Sequence, residues 1–346
     1  MSINLENIQR WKSYGFNLTP VNPKDKKPVL KNGKWYYEWS DEELLKAVRL
    51  GYFHKLSKVF TVDLDDKSYV IHGYMNLLPL SWTDGKVVNF NGYDLAVPTH
   101  RTYKINGQGT LKFKYPKVKS KDGGLLAETL TNTQTIFAGE DRLVMNDMEP
   151  QEVDLQLLQD RISLMCFFTE VEKLWVKDGQ RDEAHLRLAG ALARLPEDRF
   201  PDDLLVKAVT MLCTHTGDEE VKNRTDKIYY QRDQLHLGKN VYGIKDLSKF
   251  LNVKSIPAYD LLKVMEEEAA EPATPKHATL LGNANKILLI ETEYPMTCKL
   301  FFLKFIISLP FISFIYASFT FHSFGTFQSN TLVPEEILFI FKFGKI

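Results

Sequence analysis

The chain contains the stretch Val59-Phe60-Thr61-Val62-Asp63-Leu64-Asp65-Asp66, an apolar run that ends in acidic residues. Successive side chains of a strand point to opposite faces, so Asp63 and Asp65 would project from one face of a sheet. Val62 and Leu64 would then enter the core. Two carboxylates held a few ångströms apart repel each other unless a cation lies between them, and hard oxygen ligands suit Mg²⁺ or Mn²⁺. The alternative is a strand that runs into an acidic turn.

Length and charge limit the classes of function. The 346 residues allow two domains, at about 150 residues each. Lys plus Arg and Asp plus Glu each number 44, so attraction to a polyanion must come from local clustering of charge. The cysteines Cys166, Cys213 and Cys298 lie far apart with no CxxC pair. This spacing argues against a disulfide framework and a zinc knuckle, and indicates a reducing compartment.

A basic segment follows the acidic strand. Residues 101–121 contain seven basic residues and no acid. Strands are predicted over 95–105 and 110–115, and alternation places Lys112 and Lys114 on one face. A basic sheet surface beside carboxylates is what a polyanionic substrate needs, because phosphate contacts dominate nucleic-acid affinity. An ordinary solvated face is the equal alternative.

Glu128 lies in the middle of the apolar strand predicted after residue 124. An unpaired carboxylate in such a strand is costly, so Glu128 needs a partner. Either a cation shared with Asp63 and Asp65 or a lysine from the preceding strand would provide one.

Helical patterns flank this β-rich region. At the N-terminus a short helix is predicted within 4–15, and Ser40 begins a capping box that opens a helix through Leu50. Five further helices are predicted over 153–175, 183–195, 201–213, 221–237 and 241–250. Their histidines, His185, His215 and His236, are expected to pack or cap helices rather than to bind a metal.

The C-terminal part changes character. Residues 256–285 are predicted to be an acidic linker punctuated by proline, and 286–346 an atypical apolar tail that is either non-native or truncated. The stretch 300–319 has the length of a membrane span but is interrupted by Lys304 and Pro310. We expect a frame change or truncated gene end rather than a tail anchor, and no stable membrane partner. The N-terminus has no export signal, which favours a cytoplasmic location.

The order of these motifs resembles the archaeo-eukaryotic primase superfamily, in its primase-polymerase branch from phages, plasmids and mobile elements. In that family an early strand ends in Asp-x-Asp or Asp-x-Glu. A second strand carries a small hydroxyl residue and a histidine, and a third, apolar strand carries another acidic residue. The matching stretches here are Val62-Asp63-Leu64-Asp65, Pro98-Thr99-His100 and Ala127-Glu128. The usual serine-x-histidine triplet is condensed here to adjacent residues. The resemblance covers about residues 5–250, because 179–194 and 241–243 are similar to the helical domain that follows in phage primase-helicases.

The resemblance implies an α+β fold. A primase-polymerase catalytic domain with an RRM-like β-sheet would occupy residues 1–148, followed by a small all-α primase C-terminal domain over 149–255.

The resemblance also implies an activity: primer synthesis and extension on single-stranded DNA by two-metal nucleotidyl transfer from nucleoside triphosphates. Asp63, Asp65 and Glu128 would hold two Mg²⁺ or Mn²⁺ ions. The residues implied in nucleotide binding are Thr99, His100, Arg101, Lys112 and Lys114. No P-loop motif occurs in the sequence, so a replicative helicase would be a separate partner.

Two other functions use part of the same pattern. A metal-dependent nuclease could use the three acids without a nucleoside triphosphate. A replication initiator could keep the fold only as a DNA-binding module. We rank both below the primase-polymerase, because only that function also uses His100 and the helical segment.

Overall fold

The computed structural model describes residues 3–34, 38–66, 68–90, 92–105, 109–116 and 125–263. These belong to a unit that extends to Glu268. The predicted tail lies outside the described residues, as does most of the predicted linker. Residues Ala258–Lys263, near the start of the predicted linker, instead form a helix. No helix in the described part of the chain is long and apolar enough to cross a membrane.

The described residues form nine strands and nine α-helices. The strands are β1 (Leu18–Pro20), β2 (Leu50–Phe53), β3 (Val59–Leu64), β4 (Trp82–Phe90), β5 (Tyr93–Lys104), β6 (Lys114–Pro116), β7 (Leu125–Leu130), β8 (Gln134–Ala138) and β9 (Arg142–Asn146). The helices are α1 (Leu5–Ser13), α2 (Asp41–Leu45), α3 (His54–Ser57), α4 (Leu155–Lys173), α5 (Arg181–Ala193), α6 (Asp202–Thr216), α7 (Val221–His236), α8 (Ile244–Phe250) and α9 (Ala258–Lys263), with a 3₁₀ helix over Ile71–Leu77.

The strands make two antiparallel sheets. The large sheet has the order β6-β7-β3-β5-β4-β9, and the small sheet has the order β1-β2-β8. The acidic stretch therefore lies on an inner strand, where β7 and β5 pair with β3 from either side. Antiparallel sheets with helices after them confirm the α+β class.

The two faces of β3 enter two different cores. Phe60 and Val62 pack into a core shared with α4 and the helices after it, so the sheet and the helical segment bury one continuous apolar surface. Val59 packs on the other side, beneath α1 and the small sheet. Aromatic rings fill this second core, where Trp11 meets Phe137 edge to face with centroids 4.8 Å apart. Each strand residue thus faces either the helices or the small sheet.

Helix periodicity in the sequence predicts most of the α structure. Helices α4 to α8 confirm the five predicted over residues 150–251, and the capping box at Ser40 is present. The helix predicted through Leu50 is wrong, because α2 ends at Leu45 and Leu50 begins β2. Tertiary pairing overrides the local pattern here, because β2 is the middle strand of the small sheet. Gly51 permits the close approach of β8, since a Cβ at this position would lie 2.7 Å from the Thr135 carbonyl oxygen.

Candidate functional site

Polar side chains form one row across the large sheet. The strand register pairs Lys114 with Glu128, Glu128 with Asp63, Asp63 with His100, and His100 with Asp84. Directly paired residues of antiparallel strands project from the same face, so these five side chains share a surface. We call them the polar row. The register thus brings together Asp63, His100 and Glu128, which the sequence places far apart.

His100 lies between two carboxylates. Its Nε2 is 3.2 Å from Asp63 Oδ1, and its Nδ1 is 2.7 Å from Oδ1 of the fully buried Asp84. Burial alone would lower the pKa of His100, but the charges of Asp84 and Asp63 and the hydrogen bonds to both raise it to about 9. Burial likewise opposes ionisation of Asp63, yet the charge and hydrogen bond of His100 lower the Asp63 pKa. The centre of the row is therefore an imidazolium held by two carboxylates.

Glu128 is held more loosely. Its Oε2 lies 3.6 Å from Nζ of Lys114, whose side chain is 70% exposed, while the Glu128 side chain is 25% exposed. Lys114 belongs to the preceding strand, so one of the two expected partners of Glu128 is present, as a long ion pair. An exposed pair at this distance contributes little stability.

Of the three predicted metal ligands, Asp63 and Glu128 project from the same face of the sheet, and the three do not close into a tight cluster. Asp65 follows the last residue of β3, where it is exposed and its backbone N–H donates to the Leu126 carbonyl. Among the described residues, the oxygens of Asp63, Asp65 and Glu128 do not form a set within 4.8 Å of one another.

A β-bulge brings Thr99 beside the row. Asp84 pairs with His100 and Gly85 pairs with Pro98, so Thr99 is an extra residue between them. Strict alternation would send the adjacent Thr99 and His100 to opposite faces, and a bulge relaxes this rule. The Thr99 hydroxyl accepts a hydrogen bond of 3.2 Å from Arg142. Arg142 also helps to lower the pKa of Asp63, after the larger effect of His100.

Two other predicted nucleotide ligands are placed differently. Arg101 pairs with the core residue Val62 on the opposite face of the sheet, and its guanidinium is buried. It donates to the carbonyls of Met75, Leu78 and Pro79. The structure therefore does not bring Arg101 to the polar row. Lys112 is exposed, as Lys114 is, but precedes the paired part of β6.

Beside the row, on the same face of the sheet, lies a neutral hydrogen-bond network that we call the hydroxyl network, made of Tyr52, His54, Thr61, Thr102 and Thr135. The Tyr52 hydroxyl contacts Thr102 Oγ1 at 2.6 Å and Thr61 Oγ1 at 3.0 Å. His54 Nε2 contacts Thr61 Oγ1 at 3.0 Å and Thr135 Oγ1 at 3.1 Å. Burial lowers the pKa of His54 to about 4, so its ring is neutral.

Sequence reasoning misses Asp84, Arg142 and His54. Asp84 carries the same signal as Glu128, a single acid inside a strand of buried residues. Its role follows only from its register with His100, which the sequence does not specify.

A second cluster lies among the helices. His185, Cys213 and Asp218 are buried, and one ligand atom from each lies within 4.8 Å of the others. This set could hold a metal ion, although His185 is predicted to be a packing residue. Burial lowers the pKa of His185 to about 4 and raises the pKa of the Cys213 thiol to about 12.

Comparison with known proteins adds no assignment. No protein-family model matches the chain, and no curated protein is significantly similar to it in sequence.

Proposed function

We propose that this chain is a DNA primase-polymerase that makes primers and extends them on a single-stranded DNA template from nucleoside triphosphates. The observation that supports this function is the polar row, in which Glu128, Asp63 and His100 are direct neighbours on adjacent strands. The family resemblance implies that these same residues act together. Their direct pairing on adjacent strands, which brings the side chains to one face, supports that expectation.

The donor set of the row fits a hard divalent cation. Asp63 and Glu128 pair directly across β3 and β7, and each side chain is 25% exposed. Among the described residues, the ion-pair partner of Glu128 is Lys114, at the long distance of 3.6 Å. Carboxylate oxygens at a partly open site suit Mg²⁺ or Mn²⁺, with Asp65 as a further ligand. Two such ions would activate a 3′-hydroxyl and stabilise the leaving pyrophosphate.

His100 is suited to hold a phosphate. Its charge is maintained by Asp84, which is fully buried and keeps its hydrogen bond to Nδ1. The contact from Nε2 to Asp63 is longer, at 3.2 Å. Rotation of the Asp63 carboxylate away from Nε2 would leave this N–H free to donate to a triphosphate oxygen.

Cationic groups on both sides of the acids extend the phosphate-binding surface. Lys114 lies at the β6 end of the row, and Arg142 lies beside Thr99 at the other end. These groups would neutralise the triphosphate and the template backbone. Arg142 would thereby take the part that the resemblance implies for Arg101.

The experiment incubates the full chain with single-stranded DNA, Mn²⁺ and labelled nucleotides, with and without a primer. Asp63→Ala is compared with Asp94→Ala, which removes an exposed acid from the β4–β5 hairpin. We expect short products without a primer from the wild type and Asp94→Ala, and none from Asp63→Ala. Cleaved template without synthesis would instead indicate a nuclease, and neither product would favour a DNA-binding module.

A further inference from the structure

The turn after α6 brings two potential metal ligands together. Gly217 adopts a left-handed conformation with φ of 66°. The Asp218 N–H donates to the Cys213 carbonyl at 2.8 Å, and the Gly217 N–H donates to the Thr214 carbonyl. This pair of bonds is a Schellman motif, which folds the chain back at a helix end. Asp218 therefore returns beside Cys213.

Helix α5 holds this turn in place and supplies a third ligand. Arg181, in the first turn of α5, donates to the carbonyls of Thr216 at 2.8 Å and Gly217 at 3.0 Å. His185 lies four residues later, on the same face of α5. The backbone therefore fixes the positions of His185, Cys213 and Asp218.

The spacing between His185 and Asp218 exceeds that of a good hydrogen bond, and the spacing between His185 and Cys213 is that of a weak sulfur hydrogen bond. His185 Nε2 is 3.5 Å from Asp218 Oδ2 and 3.7 Å from Cys213 Sγ. Nitrogen and oxygen in a good hydrogen bond are about 2.7–3.2 Å apart. Around a tetrahedral zinc ion, with bonds of about 2.0–2.3 Å, neighbouring ligand atoms are roughly 3.3–3.6 Å apart. The cluster thus has nearly the spacing that a bound ion requires.

We propose that His185, Cys213 and Asp218 bind a Zn²⁺ ion that ties α5 to the end of α6. A thiolate and an imidazole favour zinc over Mg²⁺ or Ca²⁺, which prefer oxygen ligands. The thiolate and the carboxylate would supply two negatively charged ligands, and a water would complete four-coordination. Arg224 Nε donates to Asp218 Oδ2 at 2.9 Å and fixes the orientation of that carboxylate.

This zinc site is independent of the polar row and of the proposed polymerase activity. The Asp218 carboxylate also accepts the Glu220 N–H at 3.1 Å, so its orientation is fixed by the backbone as well. His185 is edge-on to Trp175, with ring centroids 4.8 Å apart. These contacts place the ion in the interior of the helical segment, where it would stabilise packing rather than contact a substrate.

The first test measures metal content. The full chain is purified without a histidine tag, equilibrated with Zn²⁺, desalted and analysed by elemental mass spectrometry. Cys213→Ser is compared with Cys166→Ser, which changes a buried cysteine of α4 that is not part of the cluster. We expect one zinc per chain in the wild type and in Cys166→Ser, and loss of that zinc in Cys213→Ser. Equal zinc in all three proteins, or none in the wild type, would overturn the proposal.

A second measurement covers the case in which Cys213→Ser does not fold. Asp218→Asn keeps the size of the side chain and an oxygen that can accept from Arg224. A strong chelator should lower the melting temperature of the wild type and leave that of Asp218→Asn unchanged. The same decrease in both proteins, or no decrease in the wild type, would rule out zinc binding by this cluster.

Discussion

Two regions on one face of the large sheet show how differently polar groups are used. Thr61 and Asp63 are two residues apart on β3 and project the same way. Thr61 lies in the hydroxyl network, where neutral groups are covered by the small sheet and hydrogen-bonded to one another. Asp63 lies in the polar row, where charged groups range from the fully buried Asp84 to the partly exposed Asp63 and Glu128 and the exposed Lys114. The first arrangement favours stability, and the second favours binding of ions and phosphates.

The largest expected difference is in activity. Glu128→Gln removes a charge of the polar row but keeps its shape, so nucleotide addition should fall by at least ~100-fold. The free energy of unfolding should change by less than about 0.5 kcal/mol, since the pair with Lys114 is long and exposed. Primer-extension rates and urea unfolding would measure the two effects. Glu149→Gln, which changes an exposed acid paired with Lys104, is the control, and similar losses of activity in both variants would contradict the assignment.

The hydroxyl network should make stability sensitive to acid. His54 has a pKa of about 4 in the folded protein and 6.5 when unperturbed. The unfolded chain therefore binds this proton more readily, and stability is fully present above pH 6.5 and falls as pH drops towards 4. The loss should reach roughly 3 kcal/mol. His54→Gln should show a shallower decline in urea unfolding across this range, and an unchanged slope would argue against a neutral buried His54.

Thr61→Val tests the same network without a charge. The substitution keeps the side-chain shape but leaves Tyr52, His54 and Thr102 without one hydrogen-bond partner. We expect a loss of roughly 1–3 kcal/mol in the free energy of unfolding, with unchanged nucleotide addition per folded molecule. Thr214→Val, at an exposed position on α6, is the control and should have little effect. Loss of activity without loss of stability would reverse the roles of the two regions.

The smallest effect is expected for Lys114→Ala. Its side chain is 70% exposed, so the free energy of unfolding should change by less than about 1 kcal/mol. Loss of a phosphate contact should raise the KM for nucleotide or template several-fold and leave kcat nearly unchanged. Lys104→Ala, outside the row, should leave KM unchanged. A KM equal to that of the wild type in Lys114→Ala would remove this lysine from the binding surface.

The sequence predicts much of this architecture, because periodicity is a local property. The strand over 59–64, the strand that carries Glu128 and the helices after residue 150 follow from alternation or helical spacing. The helix predicted to Leu50 fails because that residue pairs with Ala138 in the small sheet. Local patterns do not include such distant partners.

The composition of each site is harder to predict. Asp84 gains its role from pairing with His100, and Thr99 reaches the row through a bulge whose presence depends on β4. Cys213 and Asp218 come together through a left-handed glycine, and His185 joins them only through helix packing. Register, bulges and helix packing are tertiary features, so the sequence predicts Asp63, His100 and Glu128 as candidate site residues but leaves their partners open.

The most direct test of the polar row is the melting temperature of the full chain with Mn²⁺ and a deoxynucleoside triphosphate. Asp63→Asn, which keeps the shape of the side chain, is measured alongside the wild type. The account predicts that the two ligands together raise the melting temperature of the wild type and have little effect on Asp63→Asn. An equal rise in both proteins, or no rise in the wild type, would contradict a metal and nucleotide site at the polar row.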